Sequence, residues 1–425
     1  MSIKINIDTL SLEKRQKINE ELKIEMKGSG INKYIFPYNI INDDIFLPFY
    51  FANQKLKIKR PLREKYSQMN VKFEGSLRDE QLEVKKEAIN ILSKQGSIIL
   101  SMYTGFGKTI ESINIACSIK LKTLIIVNKI VLLKQWEESI LKFCPSAKVL
   151  KLTPQTKFNS EYDFYIINAT NVSKFGSNTF KDIGLVLVDE AHLILAEGLS
   201  KSLLCLSPRY LIGLSATPYR QDGLNGLFDF FFGEYKIVRN LFRKHIVYRV
   251  QTDLEIPMEL SENTGKVNWG AVLKKQSESE ERNELIIKII QKFSDRNILV
   301  LCKRVEQSTY IFKRLKEIGE SVTSLIGTQQ EFDREARVLV ATNSKAGTGF
   351  DHPKLDALLL ACDLDSYYIQ ALGRIFRTKD TIPVVFDLVD DNPILIKHYK
   401  NRKEVYTECG GKIINFNDKF PELRI

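Results

Sequence analysis

The stretch SIILSMYTGFGKTIESINIA, residues 97–116, decides the fold. Its first six residues carry no charge and four are apolar, so they read as a strand buried on both faces. A glycine-rich turn follows, Thr104-Gly105-Phe106-Gly107-Lys108-Thr109, and then a helical pattern. Strand, glycine turn and helix in that order build a phosphate cradle. Glycines let backbone N–H groups wrap a phosphate chain, the Lys108 ammonium meets the β and γ phosphates, and the Thr109 hydroxyl ligates Mg2+. The full pattern asks for a small residue where Met102 stands.

Outward from this stretch, short apolar runs alternate with helical patterns. TLIIV (123–127), YDFYIIN (162–168), LVLVD (185–189) and LIGLS (211–215) read as strands, and LLKQWEESILKF (132–143) reads as a helix between two of them. A second series starts at HIVYRV (245–250). It continues through a helix over 281–293, NILVLC (297–302), a helix ending near Lys316, SVTSLI (321–326), ARVLVAT (336–342), ALLLAC (357–362) and PVVFDLV (383–389). Fully apolar strands separated by helices make parallel sheets covered on both faces. The spacing predicts an α/β protein of two lobes in tandem, residues 76–240 and 241–425, behind a small N-terminal module at 1–75.

The strand LVLVD runs into Asp189-Glu190-Ala191-His192, about 80 residues after the glycine turn. An acidic residue at a strand's carboxyl end beside a phosphate loop holds Mg2+ in enzymes of this kind. Asp189 is the expected metal ligand. Glu190 is the expected acceptor of the attacking water's proton.

These residues resemble the DEAH-type helicases of superfamily 2, and the match runs over residues 77–377. Leu77-Arg78-Asp79-Glu80-Gln81 looks like the adenine-reading element, with Gln81 at its end. Asn128-Lys129 and Leu132-Leu133-Lys134-Gln135-Trp136 resemble the strand-contacting motif Ia. Ser215-Ala216-Thr217 resembles motif III. Ala341-Thr342 with Lys345-Ala346-Gly347-Thr348-Gly349-Phe350-Asp351 resembles motif V, and Gln370-Ala371-Leu372-Gly373-Arg374-Ile375-Phe376-Arg377 motif VI. The SATPYRQDGL segment and the GFGKT loop are most similar to the branch holding XPB, phage UvsW and the poxvirus transcript-release helicase.

The resemblance implies two RecA-like lobes and an ATP-driven nucleic-acid motor, 3′→5′ in direction. ATP and Mg2+ are the implied cofactors. It assigns Thr104, Gly105, Gly107, Lys108, Thr109 and Gln81 to the nucleotide, and His192, Ser215 and Thr217 to coupling. Lys129, Gln135 and Thr348 fall to the nucleic acid. Gly349 and Asp351 join the nucleotide set, Asp351 near the ribose or at the lobe contact. Arg374 and Arg377, three apart in a predicted helix, share one face and serve as arginine fingers, with Gln370 placing the attacking water.

The chain has 425 residues, 44% hydrophobic and 27% charged, which is the composition of an ordinary globular protein. Sixty-three basic residues against 52 acidic leave a net charge of +11, and a basic excess fits a polyanionic partner. Single-stranded or branched DNA is the expected partner, with RNA and the transcription machinery as further candidates, and the expected state is a monomer. Six cysteines without a C-x-x-C pair argue against a zinc site or a disulfide framework. No run approaches the ~18 apolar residues of a membrane span, and the polar start lacks a signal peptide's apolar core, so a soluble, intracellular protein is expected. The basic run over Lys55, Lys57, Lys59, Arg60, Arg63 and Lys65 reads either as a solvated face or as a phosphate-contacting strand. Trp136 and Trp269 read as packing residues rather than stacking wedges. Phe228, Phe230, Phe231 and Phe232 read as a buried strand edge. His245 and His398 have no ligand spacing around them.

Overall fold

The computed structural model describes residues 1–25, 34–58, 66–103, 105–176, 178–194, 203–216, 225–260, 265, 267–329, 331–346, 352–364, 368–378 and 380–423. The chain divides into two compact units, Met1–Arg239 and Asn240–Ile425.

The first unit opens with a small antiparallel sheet. Its strands are β1 (Ser2–Asn6), β4 (Asn39–Ile41) and β5 (Asp44–Pro48), and a two-residue ladder, β2 (Ile24–Glu25) with β3 (Tyr34–Ile35), stands beside it. Helix α1 (Leu12–Glu21) is capped by the Ser11 side chain, which accepts from the Lys14 N–H. Ile3, Leu10, Ile18, Leu22, Leu47 and Phe51 form the core of this segment. It is tied to the rest of the unit by Ser2 N–H donating to the Leu206 carbonyl at 2.9 Å and by the Phe51 ring meeting Phe230 edge-on at 5.6 Å.

The main sheet has seven strands: β6 (Ser97–Met102), β7 (Thr123–Val127), β8 (Val149–Leu152), β9 (Phe164–Asn168), β10 (Leu185–Val188), β11 (Tyr210–Ser215) and β12 (Lys236–Arg239). They are all parallel, in the order β12-β6-β11-β10-β7-β9-β8. Successive side chains point to opposite faces. Accordingly Ile99, Leu124, Ile126, Val186 and Val188 enter one core, and Ile98, Leu100, Met102, Ile125 and Val127 the other. Helices α2 (Asp79–Gln95), α3 (Lys108–Ile119) and α4 (Ile130–Phe143) follow in sequence.

The second unit repeats the plan. Strands β13 (His245–Glu255), β14 (Ile298–Cys302), β15 (Val322–Leu325), β16 (Val338–Thr342), β17 (Ala357–Leu360), β18 (Val384–Asp391) and β19 (Gly411–Asn415) lie parallel in the order β15-β16-β14-β17-β18-β13-β19. The two parallel α/β sheets expected from the apolar runs are both present.

Two expectations are corrected. Phe228, Phe230, Phe231 and Phe232 are on a helix, Asn225–Phe232, and not on a strand edge. Consecutive phenylalanines mask the period of the run, but the side chains actually buried, Leu227, Phe228, Phe231 and Phe232, recur at helical spacing, and the Phe232 ring seats on Gly213 of β11, where a Cβ would stand 2.9 Å from it. Second, the helix carrying Gln370 and Arg374 spans Tyr368–Ile375, so Arg377 lies beyond its end and shares no helical face with Arg374. The chain is drawn off the helix at Phe376. Its ring packs on His245, centroids 4.9 Å apart, and its carbonyl accepts from Arg243 Nη1 at 2.6 Å.

Candidate nucleotide site and coupling residues

In an open parallel sheet, functional loops gather at the carboxyl ends of the strands. Here β6, β11, β10 and β7 are neighbours, and their ends carry the phosphate-loop turn, Ser215, Asp189 and Lys129 respectively. The register aligns those ends, with Val188 beside Gly213 and Gly213 beside Ile99.

The phosphate loop is shaped by its glycines. Gly105 and Gly107 have φ of +97° and +95°, conformations that side-chain-bearing residues avoid. A Cβ on Gly107 would lie 2.7 Å from Gln81 Nε2, so the close approach of α2 also requires glycine. Gln81 Nε2 donates to the Phe106 carbonyl at 2.9 Å, and its Oε1 accepts from the Arg78 N–H at 2.9 Å. Arg78 Nη2 donates to the same Phe106 carbonyl. The residue marked as adenine-reading is thus built into the wall of the loop. Lys108 Nζ donates to the Met102 carbonyl at 2.9 Å, and the Met102 side chain is wholly buried in the core. Thr109 is half-buried in the first turn of α3. Thr104 lies outside the described residues, as do Thr217, Thr348, Gly349 and Asp351.

Asp189 follows β10, and its N–H continues the ladder by donating to the Ile126 carbonyl at 2.9 Å. Its Oδ1 accepts from the Glu190 N–H at 3.0 Å and its Oδ2 from Trp136 Nε1 at 2.8 Å. Burial pushes this carboxyl up to about 6, with the Glu190 charge raising it further and the Trp136 bond and the Lys108 charge opposing. Trp136 is buried, as a packing residue should be, and it also orients the Asp189 carboxylate. Sequence reasoning missed that second role, although the tryptophan's place within the motif Ia run was a usable signal.

Glu190 has φ of +47°, a left-handed conformation that costs a residue with a side chain on the order of 1–3 kcal/mol. Strain of this kind collects at functional sites because the surrounding structure enforces it. His192 Nδ1 lies 3.0 Å from Ser215 Oγ and 3.5 Å from Glu190 Oε2, and both His192 and Ser215 are buried. One imidazole therefore bridges the acidic turn after β10 and the end of β11. The structure brings together three residues that the sequence assigns separately to catalysis and coupling.

Lys129 is the N-cap of α4, and both it and Gln135 are half-buried. In the second unit, Gln370 and Arg374 are buried, and burial holds the Arg377 guanidinium below its usual value. Trp269 meets the His398 ring edge-on at 5.3 Å, and His398 Nδ1 contacts Asp363 Oδ2 at 2.6 Å. His245 Nδ1 contacts the Arg243 carbonyl oxygen at 2.7 Å. Among the described residues no cluster of three or more His, Cys, Asp or Glu side chains forms a metal cage.

A parallel sheet with a glycine cradle after β6 and an acidic turn after β10, the two strands flanking β11, defines a phosphate-loop nucleotide hydrolase. Comparison with known proteins narrows the class. A family model, Type III restriction enzyme, res subunit, matches residues 74–220. Helicase 161L of Invertebrate iridescent virus 6 is 42% identical over 442 aligned residues, covering 98% of this chain and all of that protein. At lower identity, transcript termination protein A18 of fowlpox virus is 26% identical, covering 73% of this chain and 72% of its own length. DNA 3'-5' translocase XPB2 of Sulfurisphaera tokodaii is 24% identical, covering 84% of this chain and 91% of its own length. Among solved structures, S. cerevisiae Dbp5 bound to RNA and ADP BeF3 shares the fold, with a TM-score of 0.56 at 14% identity over 82% of this chain and 96% of that one. The chain belongs to the superfamily 2 helicases, with two RecA-like lobes in tandem. Its activity is that of the family, an ATP-dependent helicase or translocase acting on nucleic acid. No helix among the described residues is long and apolar enough to cross a membrane.

Proposed function

We propose that this chain couples Mg2+-ATP hydrolysis at the carboxyl ends of β6 and β10 to 3′→5′ movement along a DNA strand. The reading rests first on one observation: Lys108, Asp189, Glu190, His192 and Ser215 gather at the ends of three neighbouring strands, with His192 bridging Glu190 and Ser215. The direction and the polymer are supported by the likeness to XPB2, whose name states both. The net charge of +11 supports a polyanionic track.

Mg2+ suits the donors present. This ion keeps most of its waters and takes one or two carboxylates plus substrate phosphates, which fits a buried Asp189 carboxylate and a Thr109 hydroxyl without a protein cage. Bound there, the ion would neutralise charge on the β and γ phosphates. Lys108 exchanges the Met102 carbonyl for the same phosphates. Trp136 and the Glu190 N–H keep the Asp189 oxygens fixed. Glu190 takes the proton of the attacking water, and its carboxylate faces His192, with Oε2 3.5 Å from Nδ1. His192 passes the state of Glu190 to Ser215. Arg374 and Arg377 act as arginine fingers, and Gln370 helps to place the water. Lys129, Gln135 and Thr348 contact the strand. Residues 1–75 form an accessory module before lobes at 76–240 and 241–425.

A second reading, a translocase that remodels transcription complexes with little strand separation, is favoured by the likeness to A18, whose name states transcript termination. The decisive test pairs ATP hydrolysis with strand displacement on single-stranded DNA, duplex DNA and RNA. Lys108→Ala is expected to lose both nucleotide binding and turnover. Glu190→Gln is expected to keep binding and lose turnover. DNA-stimulated hydrolysis without displacement of a blocked-end duplex would select the second reading. Parental turnover in Glu190→Gln would overturn the role given to that residue.

A further inference from the structure

Glu111 stands on α3, three residues beyond Lys108, and its side chain is wholly buried. Neither carboxyl oxygen has a hydrogen-bond partner among the described residues. A buried carboxyl left in that state is costly even when neutral, and folded proteins keep few of them. Arg78 stands close by: its Nη2 lies 3.9 Å from a Cβ built at Gly107, whose carbonyl accepts from the Glu111 N–H at 3.0 Å, and Lys85 is the other cation on the α2 side of the loop. Arg78, Gln81 and Lys85 recur at helical spacing along that element. Arg78 is committed elsewhere here: Nη2 donates to the Phe106 carbonyl, and the guanidinium lies 5.6 Å from the Phe106 ring centre. That carbonyl belongs to the loop whose backbone must turn its N–H groups toward phosphate.

We propose that Glu111 is a positioning residue of the nucleotide site, the second anchor of Arg78, which leaves the Phe106 carbonyl for the Glu111 carboxylate when the loop closes on nucleotide. This rests on the reading of Gly105–Thr109 as the nucleotide cradle. The chemistry of the partners selects Arg78 over Lys85. Two orphaned oxygens on one carboxylate match the two parallel donors of a guanidinium, whereas an ammonium is a single point of charge. The exchange frees the Phe106 peptide and locks α2 onto α3 in the same step. The unliganded protein carries the unpaired carboxyl, and the nucleotide-bound protein satisfies it.

A double-mutant cycle tests this, with Arg78→Met, Glu111→Met and the double variant in the full chain. A fluorescent ADP analogue reads the dissociation constant, and thermal unfolding without nucleotide reads stability. Each single variant is expected to weaken binding about tenfold and the double variant no more than either, a coupling of about 1.4 kcal/mol. Without nucleotide, Glu111→Met is expected to unfold at or above the parental temperature, because it removes a group with nothing to satisfy it. Independent effects that multiply to about a hundredfold would overturn the proposal. So would parental binding by Glu111→Met, a marked loss of its nucleotide-free stability, or coupling to Lys85→Met in place of Arg78→Met. Glu111→Gln runs the same cycle should the Met variant fail to fold. Lys108→Ala in parallel separates the two levels. If it binds the analogue normally the cradle assignment fails, and if it does not while the cycle is additive only the Arg78 exchange fails.

Discussion

Replacing Ser215 by alanine isolates the link between hydrolysis and movement. Ser215 is wholly buried at the end of β11, where it stands beside Ser101, and its Oγ lies 3.0 Å from His192 Nδ1. The change removes one oxygen and leaves the strand geometry intact. A buried neutral hydrogen bond contributes about 1 kcal/mol net, rising toward 3 kcal/mol if the imidazole finds no replacement. In a unit of this size about 1 kcal/mol lowers the melting temperature by roughly 2–4 °C. Stability therefore falls only slightly, and the fold survives. Nucleotide binding and polymer-stimulated turnover are expected to stay within about twofold of the parent, since neither Lys108, Asp189 nor Glu190 loses a contact. Strand displacement per ATP hydrolysed is expected to fall at least tenfold, because the imidazole no longer ties the turn at Glu190 to β11. The assay measures phosphate release and displacement of a labelled strand in the same reaction, so the ratio is free of errors in active concentration. Displacement that falls only in step with hydrolysis, or a parental ratio, would refute the coupling role of the His192–Ser215 pair.

Other expectations follow from different parts of the molecule. Arg377→Lys is expected to keep the fold and bind nucleotide with little loss, yet to lose orders of magnitude in polymer-stimulated turnover, because an ammonium cannot copy a planar fork; parental turnover would make the residue structural. Arg402→Met is expected to be costly in the second unit. It removes a guanidinium buried between Asp387, bonded at 2.8 Å from both Nε and Nη2, and Asp363, bonded at 2.7 Å, leaving Asp387 with the Tyr406 hydroxyl and Asp363 with His398 in place of a full counter-charge; the loss is about 3–5 kcal/mol, read as a melting-temperature drop on the order of 10 °C. Polymer affinity is expected to fall steeply with salt, with a log–log slope of roughly 0.7–0.9 per phosphate neutralised, and reversing Lys55, Lys57, Lys59 and Arg60 together is expected to flatten it; an unchanged slope would return that run to a solvated face. Lys55 already meets Glu234 at 3.6 Å, while Lys59 and Arg60 lie outside the described residues.

The sequence alone determined the strands, the two-sheet plan and the glycine positions of the turn after β6. Those properties are short-range. A strand buried on both faces must be apolar throughout, as SIILSM and TLIIV are. A turn with two residues at positive φ must place glycine there, as Gly105 and Gly107 do. A catalytic carboxylate must sit where a strand ends. None of this needs knowledge of what lies across the sheet.

What only the tertiary structure decided depends on contacts between residues far apart in the chain. Trp136 and Asp189 are 53 residues apart and joined by one hydrogen bond, as are His192 and Ser215, 23 apart. The order β6-β11-β10-β7 creates both pairs by setting strand ends side by side, and a linear pattern carries no strand order. The helix over Asn225–Phe232 is hidden for a related reason: consecutive apolar residues mask which of them face inward, and Gly213 beneath Phe232 reveals how it packs. The stop of the helix at Ile375 escaped because Arg243, more than a hundred residues earlier, takes the Phe376 carbonyl. Glu111 gave no signal at all in the sequence, since a carboxylate three residues into a helix is ordinarily a solvated one. The packing around α3 buries it, and a group's solvation is a property of what surrounds it rather than of its place in the chain.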